Sequence, residues 1–230
     1  MRRFFGYLPL LVPLLVAVPF ASAQSSFDIN LGFGAVQDKA GPGVDENTFL
    51  TCSSVTAAGA CANTPSLNGF IMGFGGNLLL WKHLGFGADV SFQPAKQNYL
   101  VLQPAVTSLG QPAITEQSRM TFYDFDAIYQ PVSSKKYSVQ LRGGIGGANL
   151  RFYENQTGTN ALTGNFNQSQ YAGSSNHFQV NGGVGVQIYV SGNMFIRPQF
   201  DVHYVNNFFQ FGRNLVTEET VWIGYSFGRQ

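Results

Sequence analysis

The stretch FDINLGFGAVQ, residues 27–37, alternates between apolar side chains and small or polar ones. Phe27, Ile29, Leu31 and Phe33 lie on one side of an extended strand, because successive side chains of a strand point to opposite faces. The residues between them begin with aspartate and asparagine. A soluble protein hides the apolar face of such a strand, whereas a membrane barrel displays it to lipid. The fold therefore depends on which face meets water.

The chain begins with the features of a secretory signal peptide, predicted to cover residues 1–23. Arg2 and Arg3 precede an apolar run that ends in Ala21-Ser22-Ala23. Prolines interrupt this run and it is short for a bilayer span, so we predict cleavage after Ala23 and not a membrane anchor. No later segment has the ~20 uninterrupted apolar residues of a spanning helix, which excludes a helical membrane protein. The mature domain is predicted to cover residues 24–230.

Composition narrows the class of protein further. Charged residues make up 11% of the chain and aromatic residues 14%. This combination is too apolar for a disordered chain and too poor in charge for an ordinary soluble surface. Removal of Arg2 and Arg3 leaves 11 of the 13 basic residues against 12 acidic ones. Nucleic-acid binding, which calls for a clear basic excess, is therefore not predicted.

The cysteine content is small. Cys52 and Cys61 are the two cysteines of the chain. In an exported protein, we expect this pair to form a disulfide that closes a short loop and stabilises the fold by about 2–3 kcal/mol. A metal site or a reactive thiol is the alternative, but it lacks neighbouring histidines. We predict no catalytic, cofactor or metal site.

Period-two alternation recurs along the chain and predicts eight strands, without a convincing amphipathic helix. The predicted strands cover residues 27–37, 68–80, 84–93, 119–130, 137–151, 177–190, 194–205 and 217–227. Short turns at 81–83, 131–136 and 191–193 alternate with long loops at 38–67, 94–118, 152–176 and 206–216. This order predicts an antiparallel up-and-down meander with all long loops at one end.

The two faces of the predicted strands differ sharply. One face is apolar and is predicted to carry no charge within the strand spans, while the other collects the charged residues and most strand glycines. An eight-stranded barrel has an interior only just wide enough for side chains. We therefore expect its glycines to make room for Arg142, Arg197, Tyr189 and Trp222. The polar face is predicted to lie inside, and the apolar face to meet lipid.

These features resemble the small outer-membrane β-barrel proteins of Gram-negative bacteria, the eight-stranded family similar to the transmembrane domain of outer membrane protein A. The resemblance covers the whole mature chain and rests on the signal peptide, the eight alternating strands and the final strand TVWIGYSF. It implies an all-β, eight-stranded antiparallel up-and-down transmembrane β-barrel. It also implies a location in the outer membrane, with lipid and lipopolysaccharide as surrounding partners and the long loops outside.

The final strand carries a further implication of the resemblance. In that family, the insertion machinery reads a last strand that usually ends at the C-terminus in an aromatic residue. The residues with the corresponding spacing are Val221, Ile223, Tyr225 and Phe227. Here Gly228-Arg229-Gln230 follow, which is a departure from the family pattern.

The interior charges are the candidate site. We predict a structural network in which the inward carboxylates pair with the inward arginines, because charges in a narrow lumen must find partners. Its carboxylates are Asp89, Asp124, Asp126 and Asp201, and its arginines are Arg142 and Arg197. A proton or ion path and a binding site are the alternatives. His203 near Asp201 raises the hypothesis of a hydrolase, but no nucleophile accompanies the pair. Pro198 is expected to cause a bulge or local irregularity, because a closed barrel has no edge for a missing N–H.

Two glycine-rich runs do not change this interpretation. GGIGG at 143–147 and GGVGVQ at 182–187 lie within predicted strands and lack the strand–loop–helix context of a nucleotide site. The sequence therefore favours a non-enzymatic outer-membrane barrel with a structural or surface-interaction role. A small ion or solute channel is the first alternative, and a lipid-modifying enzyme is the second. No ligand of the loops is predicted.

Overall fold

The computed structural model of the chain describes residues 25–38, 67–81, 83–102, 113–160, 164–208, 211 and 213–228. The predicted signal peptide and both cysteines lie outside these residues. The described strands are β1 (Ser26–Gln37), β2 (Gly69–Leu79), β3 (Leu84–Phe92), β4 (Gln97–Leu102), β5 (Ala113–Ser133), β6 (Tyr137–Asn160), β7 (Gly164–Ser191), β8 (Met194–Val205) and β9 (Leu215–Phe227). Within the described ranges, no helix is long and apolar enough to cross a membrane.

Eight of these strands close a ring. The order runs β3-β2-β1-β9-β8-β7-β6-β5, and a further pairing between β3 and β5 closes the barrel. All of the pairings are antiparallel. The short strand β4 lies outside the ring and pairs with β5 beyond the end of β3. The predicted eight-stranded, antiparallel, up-and-down barrel is confirmed.

The outer wall of the ring is an apolar belt, as the sequence predicted. Phe125 and Ile145 are 64% and 57% exposed, whereas the intervening Asp126 is 4% exposed. The same alternation holds around the barrel, where the outward residues of every ring strand include large apolar side chains and the inward ones are buried. The apolar face therefore lies outside, where hydrocarbon and not water is its compatible solvent.

Near the loop-side end of the barrel, the polar and apolar residues exchange faces: the inward side chains become apolar and the outward ones become polar. Tyr123 is exposed and Asp124 is buried, but two residues earlier Thr121 points outward and Phe122 is buried. On the neighbouring strand β6, Leu150 is buried among residues whose outward neighbours are polar. Beyond this level, the interior of the barrel is apolar and its outer surface is polar, as in a soluble protein. The inversion thus marks where the outer wall passes from lipid to water.

The prediction of a charge-free outer face was wrong at three positions. Arg119, Arg151 and Glu219 have the outward parity of their strands, and the last two are exposed. All three lie near the loop-side ends of the strands. For Arg119 and Arg151 the physical reason is the inversion, since a strand that continues past the apolar belt can carry charge on its outer face. Glu219 pairs with the outward Phe200 and lies on the membrane side of the exposed Leu215, so the inversion does not explain it.

The predicted loops 94–118 and 152–176 contain strand. β4 and the first residues of β5 occupy much of the former, and β6 and β7 extend through nearly all of the latter. Pairing between β6 and β7 continues to Asn160 and Gly164. Above the membrane neither face of these extensions is purely apolar, so the sequence offers no hydrophobic alternation that would predict a strand.

Pro198 interrupts the sheet without shifting it. Gly185 pairs with Gln199 and Ile188 with Ile196 in one common register, and the pairings opposite Pro198 and its neighbour Arg197 are missing on the β7 side. The pairing of Pro198 with Val221 on β9 is kept. The expected irregularity is therefore a local gap in one ladder, which follows from the absent N–H of proline, and the sheet has no bulge there.

Glycines on the inner face make room for large side chains. A Cβ built on Gly32 or on Gly73 would lie 2.7 Å from the Trp222 ring, and one on Gly87 would lie 2.8 Å from Arg142 Nη2. Arg197 meets a Cβ of Gly185 at 3.3 Å. The expectation is thus confirmed for three of the four large residues named from the sequence. The fourth, Tyr189, packs instead on the Phe195 ring, with 6.0 Å between centroids.

We predict that Gly32→Ala destabilises the barrel and that Gly182→Ala does not. The new methyl group of Gly32→Ala overlaps the buried Trp222 ring and should lower the free energy of unfolding by about 1–3 kcal/mol. At Gly182, a Cβ meets its nearest neighbour, the Arg142 carbonyl oxygen, at 3.9 Å. Urea titration of the folded barrel in detergent micelles measures both. Equal stability of the two variants would contradict the inward assignment of Gly32.

Candidate functional site inside the barrel

Arg142 is the centre of the charged layer in the lumen. Its guanidinium donates to Asp126 Oδ2 from Nε at 2.9 Å and from Nη2 at 2.6 Å, and Nη2 also donates to Asp89 Oδ2. Nη1 donates to Gln199 Oε1 at 3.3 Å. The three ionic side chains are each 6% exposed or less. Every nitrogen of the buried guanidinium is therefore satisfied, which a buried cation requires.

Arg197 is held without a direct ion pair among the described residues. Its Nη1 donates to Gln140 Oε1 at 3.2 Å, and its guanidinium carbon lies 5.5 Å from the Trp222 ring centroid, within the range of a cation–π contact. Asn77 Oδ1 accepts from the same nitrogen at 2.5 Å in the amide orientation that satisfies both groups. Among the described residues, Arg197 therefore contacts amides and an aromatic ring, and not a lumenal aspartate as the sequence predicted.

A second group of side chains surrounds His203 on the loop side of Arg142. His203 Nδ1 lies 3.7 Å from Asp124 Oδ1, and Nε2 lies 3.6 Å from Glu218 Oε2. The imidazole stacks on Phe122 with 4.5 Å between centroids, and Ser91 Oγ donates to Glu218 at 2.9 Å. Two carboxyl groups therefore flank one buried imidazole.

The remaining predicted carboxylates are held by amides. Gln199 Nε2 donates to Asp201 Oδ2 at 2.8 Å, and Gln179 Nε2 donates to Asp124 Oδ1 at 2.6 Å. The structure thus brings Asp89, Asp126 and Arg142 into one cluster and places Asp124 and Asp201 around its edge. Sequence reasoning missed Glu218. Glu218 lies on the same face of β9 as Thr220, Trp222 and Ser226, and this alternation would have predicted that it points inward.

An apolar plug closes the lumen at the loop-side end. Its residues are 0–2% exposed and come from β1, β2, β5, β6, β8, β9 and the connections after β8 and before β2: Val36, Leu67, Ile71, Met120, Phe122, Ala148, Leu150, Val205, Phe208, Phe211 and Val216. Phe208 and Phe211 stack with 4.8 Å between their centroids. The interior was predicted to be packed and polar. It is polar in its middle layer and apolar at the loop-side end.

An aromatic floor narrows the lumen at the short-turn end. Phe195 is fully buried and lies against Tyr189, whose hydroxyl accepts from Gln187 Nε2 at 2.9 Å. Gln187 also accepts from Gln140 at 2.6 Å, and Gln140 accepts from Arg197. A chain of amides thus connects the charged layer to the floor.

Asp38 lies one residue beyond β1, above the apolar belt, and its carboxyl is buried. Its backbone N–H donates to Asn68 Oδ1 at 2.8 Å, but neither carboxyl oxygen has a hydrogen-bond partner among the described residues. Burial raises the pKa of Asp38 to about 7, and the charge of Arg213 only partly opposes this rise. The carboxyl therefore titrates near neutral pH.

Solved structures share this architecture. The chain is similar to a major outer membrane protein from Thermus thermophilus, with 14% identity, a TM-score of 0.51, and coverage of 88% of this chain and 99% of that one. The fold is that of an outer-membrane β-barrel. The barrel also matches Ail, the attachment invasion locus protein of Yersinia pestis, in complex with the heparin analogue sucrose octasulfate, at 14% identity and a TM-score of 0.47, over 89% of this chain and 99% of Ail.

A further match is the N-terminal β-barrel domain of Pseudomonas aeruginosa OprF, at 13% identity and a TM-score of 0.40, over 89% of this chain and 98% of that one. No protein-family model matches the barrel, and no curated protein matches it. The barrel fold and the apolar belt indicate the outer membrane of a Gram-negative bacterium, as the sequence predicted.

We predict that removing the lumenal cation is more damaging than removing the whole cluster. Arg142→Met leaves two carboxylates buried without a counter-charge and should lower the free energy of unfolding by about 3–5 kcal/mol. Adding Asp89→Asn and Asp126→Asn to the same chain should recover part of that loss. Urea titration in detergent measures all variants, with the exposed Lys135→Gln as a control expected to stay within about 0.5 kcal/mol of wild type. No recovery in the triple variant would contradict the pairing.

We also predict that Asp38→Asn flattens the pH dependence of stability. Between pH ~4 and ~7 the unfolded chain releases the Asp38 proton while the folded barrel keeps it, so the free energy of unfolding falls as pH rises and levels off above pH ~7. The upper bound on this fall is about 4 kcal/mol, since each pH unit contributes about 1.4 kcal/mol. Urea titrations at pH 4, 6 and 8 compare wild type with Asp38→Asn, and the exposed Glu219→Gln should behave like wild type. Identical pH curves for wild type and Asp38→Asn would contradict the assignment.

Proposed function

We propose that the protein is a non-conducting integral barrel of the outer membrane, with a structural or surface-interaction role in the cell envelope. The observation that carries this proposal is the filled lumen. The charged layer around Arg142 lies between the apolar plug and the aromatic floor, and the ionic side chains of that layer are buried. A barrel with this interior is a filled scaffold and not an aqueous pore.

The orientation follows from the connections. Short turns join β2 to β3, β5 to β6 and β7 to β8 at one end, and β5, β6 and β7 extend beyond the belt at the other. In outer-membrane barrels, short turns face the periplasm and long connections face outside. We therefore place the apolar plug and the extended strands at the cell surface, where lipopolysaccharide and outside partners are met.

The final strand supports insertion from the periplasm. Val221, Ile223, Tyr225 and Phe227 are all outward and more than 40% exposed. These four side chains form the face that the insertion machinery would read. The strand ends at Phe227, and the next residue, Gly228, has a left-handed φ of 75°.

The two alternatives from the sequence fit the interior less well. A channel needs a continuous wet path, yet the plug residues are at most 2% exposed. A lipid-modifying enzyme based on His203 needs a path from the imidazole to its substrate, but His203 is 1% exposed and is covered by the Phe122 ring. The proposal accordingly assigns the protein neither conductance nor catalysis.

We predict that the purified protein produces no reproducible open conductance in planar bilayers. Vesicles that contain the protein and a pH-sensitive dye should lose an imposed pH gradient no faster than empty vesicles, because the apolar plug excludes water and protons. Heat-modifiable gel mobility of the same sample confirms that the barrel is folded. The variant Phe122→Ala, Phe208→Ala, Phe211→Ala opens the plug and should raise the leak. Regular single-channel steps in the wild-type protein would contradict the proposal.

A further inference from the structure

Three cations form a row on the outer wall just above the apolar belt. Arg119 of β5 and Arg151 of β6 are direct cross-strand partners and point outward. Lys96 precedes Gln97, whose partner is Ser118, so Lys96 lies at the register position next to Arg119. Like charges directly opposite each other destabilise a sheet. An anion bound beside the row would relieve this repulsion.

No described carboxylate balances this row. The nearest acidic pair along the same strands is Glu116 and Glu154, which are partners of each other and have the inward parity of Ser118 and Phe152. None of the described ion pairs involves Lys96, Arg119 or Arg151. The positive charge on this part of the outer wall is thus open to an external group.

The side chains are already held in place for such a group. Arg119 Nε donates to the Gln93 carbonyl oxygen at 3.1 Å, and Arg151 Nε donates to Asn149 Oδ1 at 3.0 Å. Each guanidinium is therefore anchored through Nε, and its two Nη groups have no acceptor among the described residues. Lys96 Nζ lies 4.0 Å from the Tyr153 ring centroid and donates to Ser169 Oγ at 2.9 Å. Anchored guanidinium groups bind phosphate oxygens in bidentate geometry with little loss of entropy.

The height of the row matches a lipid headgroup. Tyr123 and Gly147 are the last outward partners of the belt on β5 and β6, and Arg119 and Arg151 follow four residues further along. Four residues of a strand tilted by about 40° rise roughly 10 Å along the membrane normal. The polar headgroup region adds about 5–8 Å on each side of the hydrocarbon core. The backbone of the row therefore lies roughly 2–5 Å above the headgroup region, a distance that a long arginine side chain can span.

We propose that Lys96, Arg119 and Arg151 form a binding site for the phosphorylated headgroup of an outer-leaflet lipid, with lipopolysaccharide as its source. The two arginines bind the phosphate oxygens, Lys96 adds the third charge, and the apolar belt below them accepts the acyl chains. The site rests on the proposed orientation of the barrel, with this end at the cell surface. It would fix the depth and rotation of the barrel in the outer leaflet.

The test is a titration of the folded protein in a neutral detergent with lipid A that carries two phosphates, followed by native mass spectrometry of the lipid-bound fraction. The double variant Arg119→Gln, Arg151→Gln should weaken binding by at least about tenfold, because each lost charge-assisted hydrogen bond is worth about that factor. The variant Arg119→Lys, Arg151→Lys keeps the charge but loses the bidentate geometry. Its affinity for lipid A should lie between those of wild type and the double glutamine variant. Phosphate-free lipid A should bind wild type as weakly as intact lipid A binds the double glutamine variant.

The matched control is Lys135→Gln, Lys136→Gln, which removes two exposed charges at the opposite end of the barrel. It should bind lipid A as wild type does. Equal binding by wild type and the Arg119→Gln, Arg151→Gln variant would overturn the site, and so would displacement of lipid A by millimolar inorganic phosphate alone or equal weakening in the control. Heat-modifiable mobility shows that each variant is folded. Conductance in planar bilayers tests the proposed function separately, so the two proposals can fail independently.

Discussion

One closed sheet separates two solvents here, and the rest of the structure depends on that separation. A barrel wall in hydrocarbon must satisfy every backbone group within the sheet, which forces closure between β3 and β5. With only eight strands, closure leaves an interior that side chains must fill. The narrow interior is filled by large side chains that pack against glycines. Gly32 and Gly73 lie against the Trp222 ring, which fills the space between them.

The filled interior then dictates how its charges are arranged. Arg142 receives two carboxylates and an amide, whereas Arg197 receives amides and an aromatic face. Both solutions leave few ways to move one side chain without exposing a buried charge. The network is therefore best understood as the part of the core that fixes one packing of the barrel, in the place where a soluble protein would use apolar side chains.

Much of the fold could be predicted from alternation, because the belt imposes a strict period of two on each ring strand. Phe125, Asp126 and Ala127 show how directly that period translates into outside and inside. The alternation of polar and apolar residues no longer predicts strands where the outer wall passes from lipid to water. The extensions of β6 and β7 have polar residues on both faces, so no period marks them. Glu218 is buried on the inward face of β9 and is the register partner of Asp201, so strand alternation could have identified it. Which carboxylate meets which arginine depends on three-dimensional packing that strand parity does not determine.

The inversion of the pattern is the most informative feature above the belt. Within β5, Phe122 and Asp124 point to the same lumen, yet one belongs to an apolar plug and the other to a charged layer. Inside the membrane, the lumen is the polar side because the apolar residues face lipid. Once the outer wall reaches water, the lumen becomes the dry side and the outer wall is free to carry charge. The row of Lys96, Arg119 and Arg151 begins at that level, so its position follows from the same change of solvent that produces the plug.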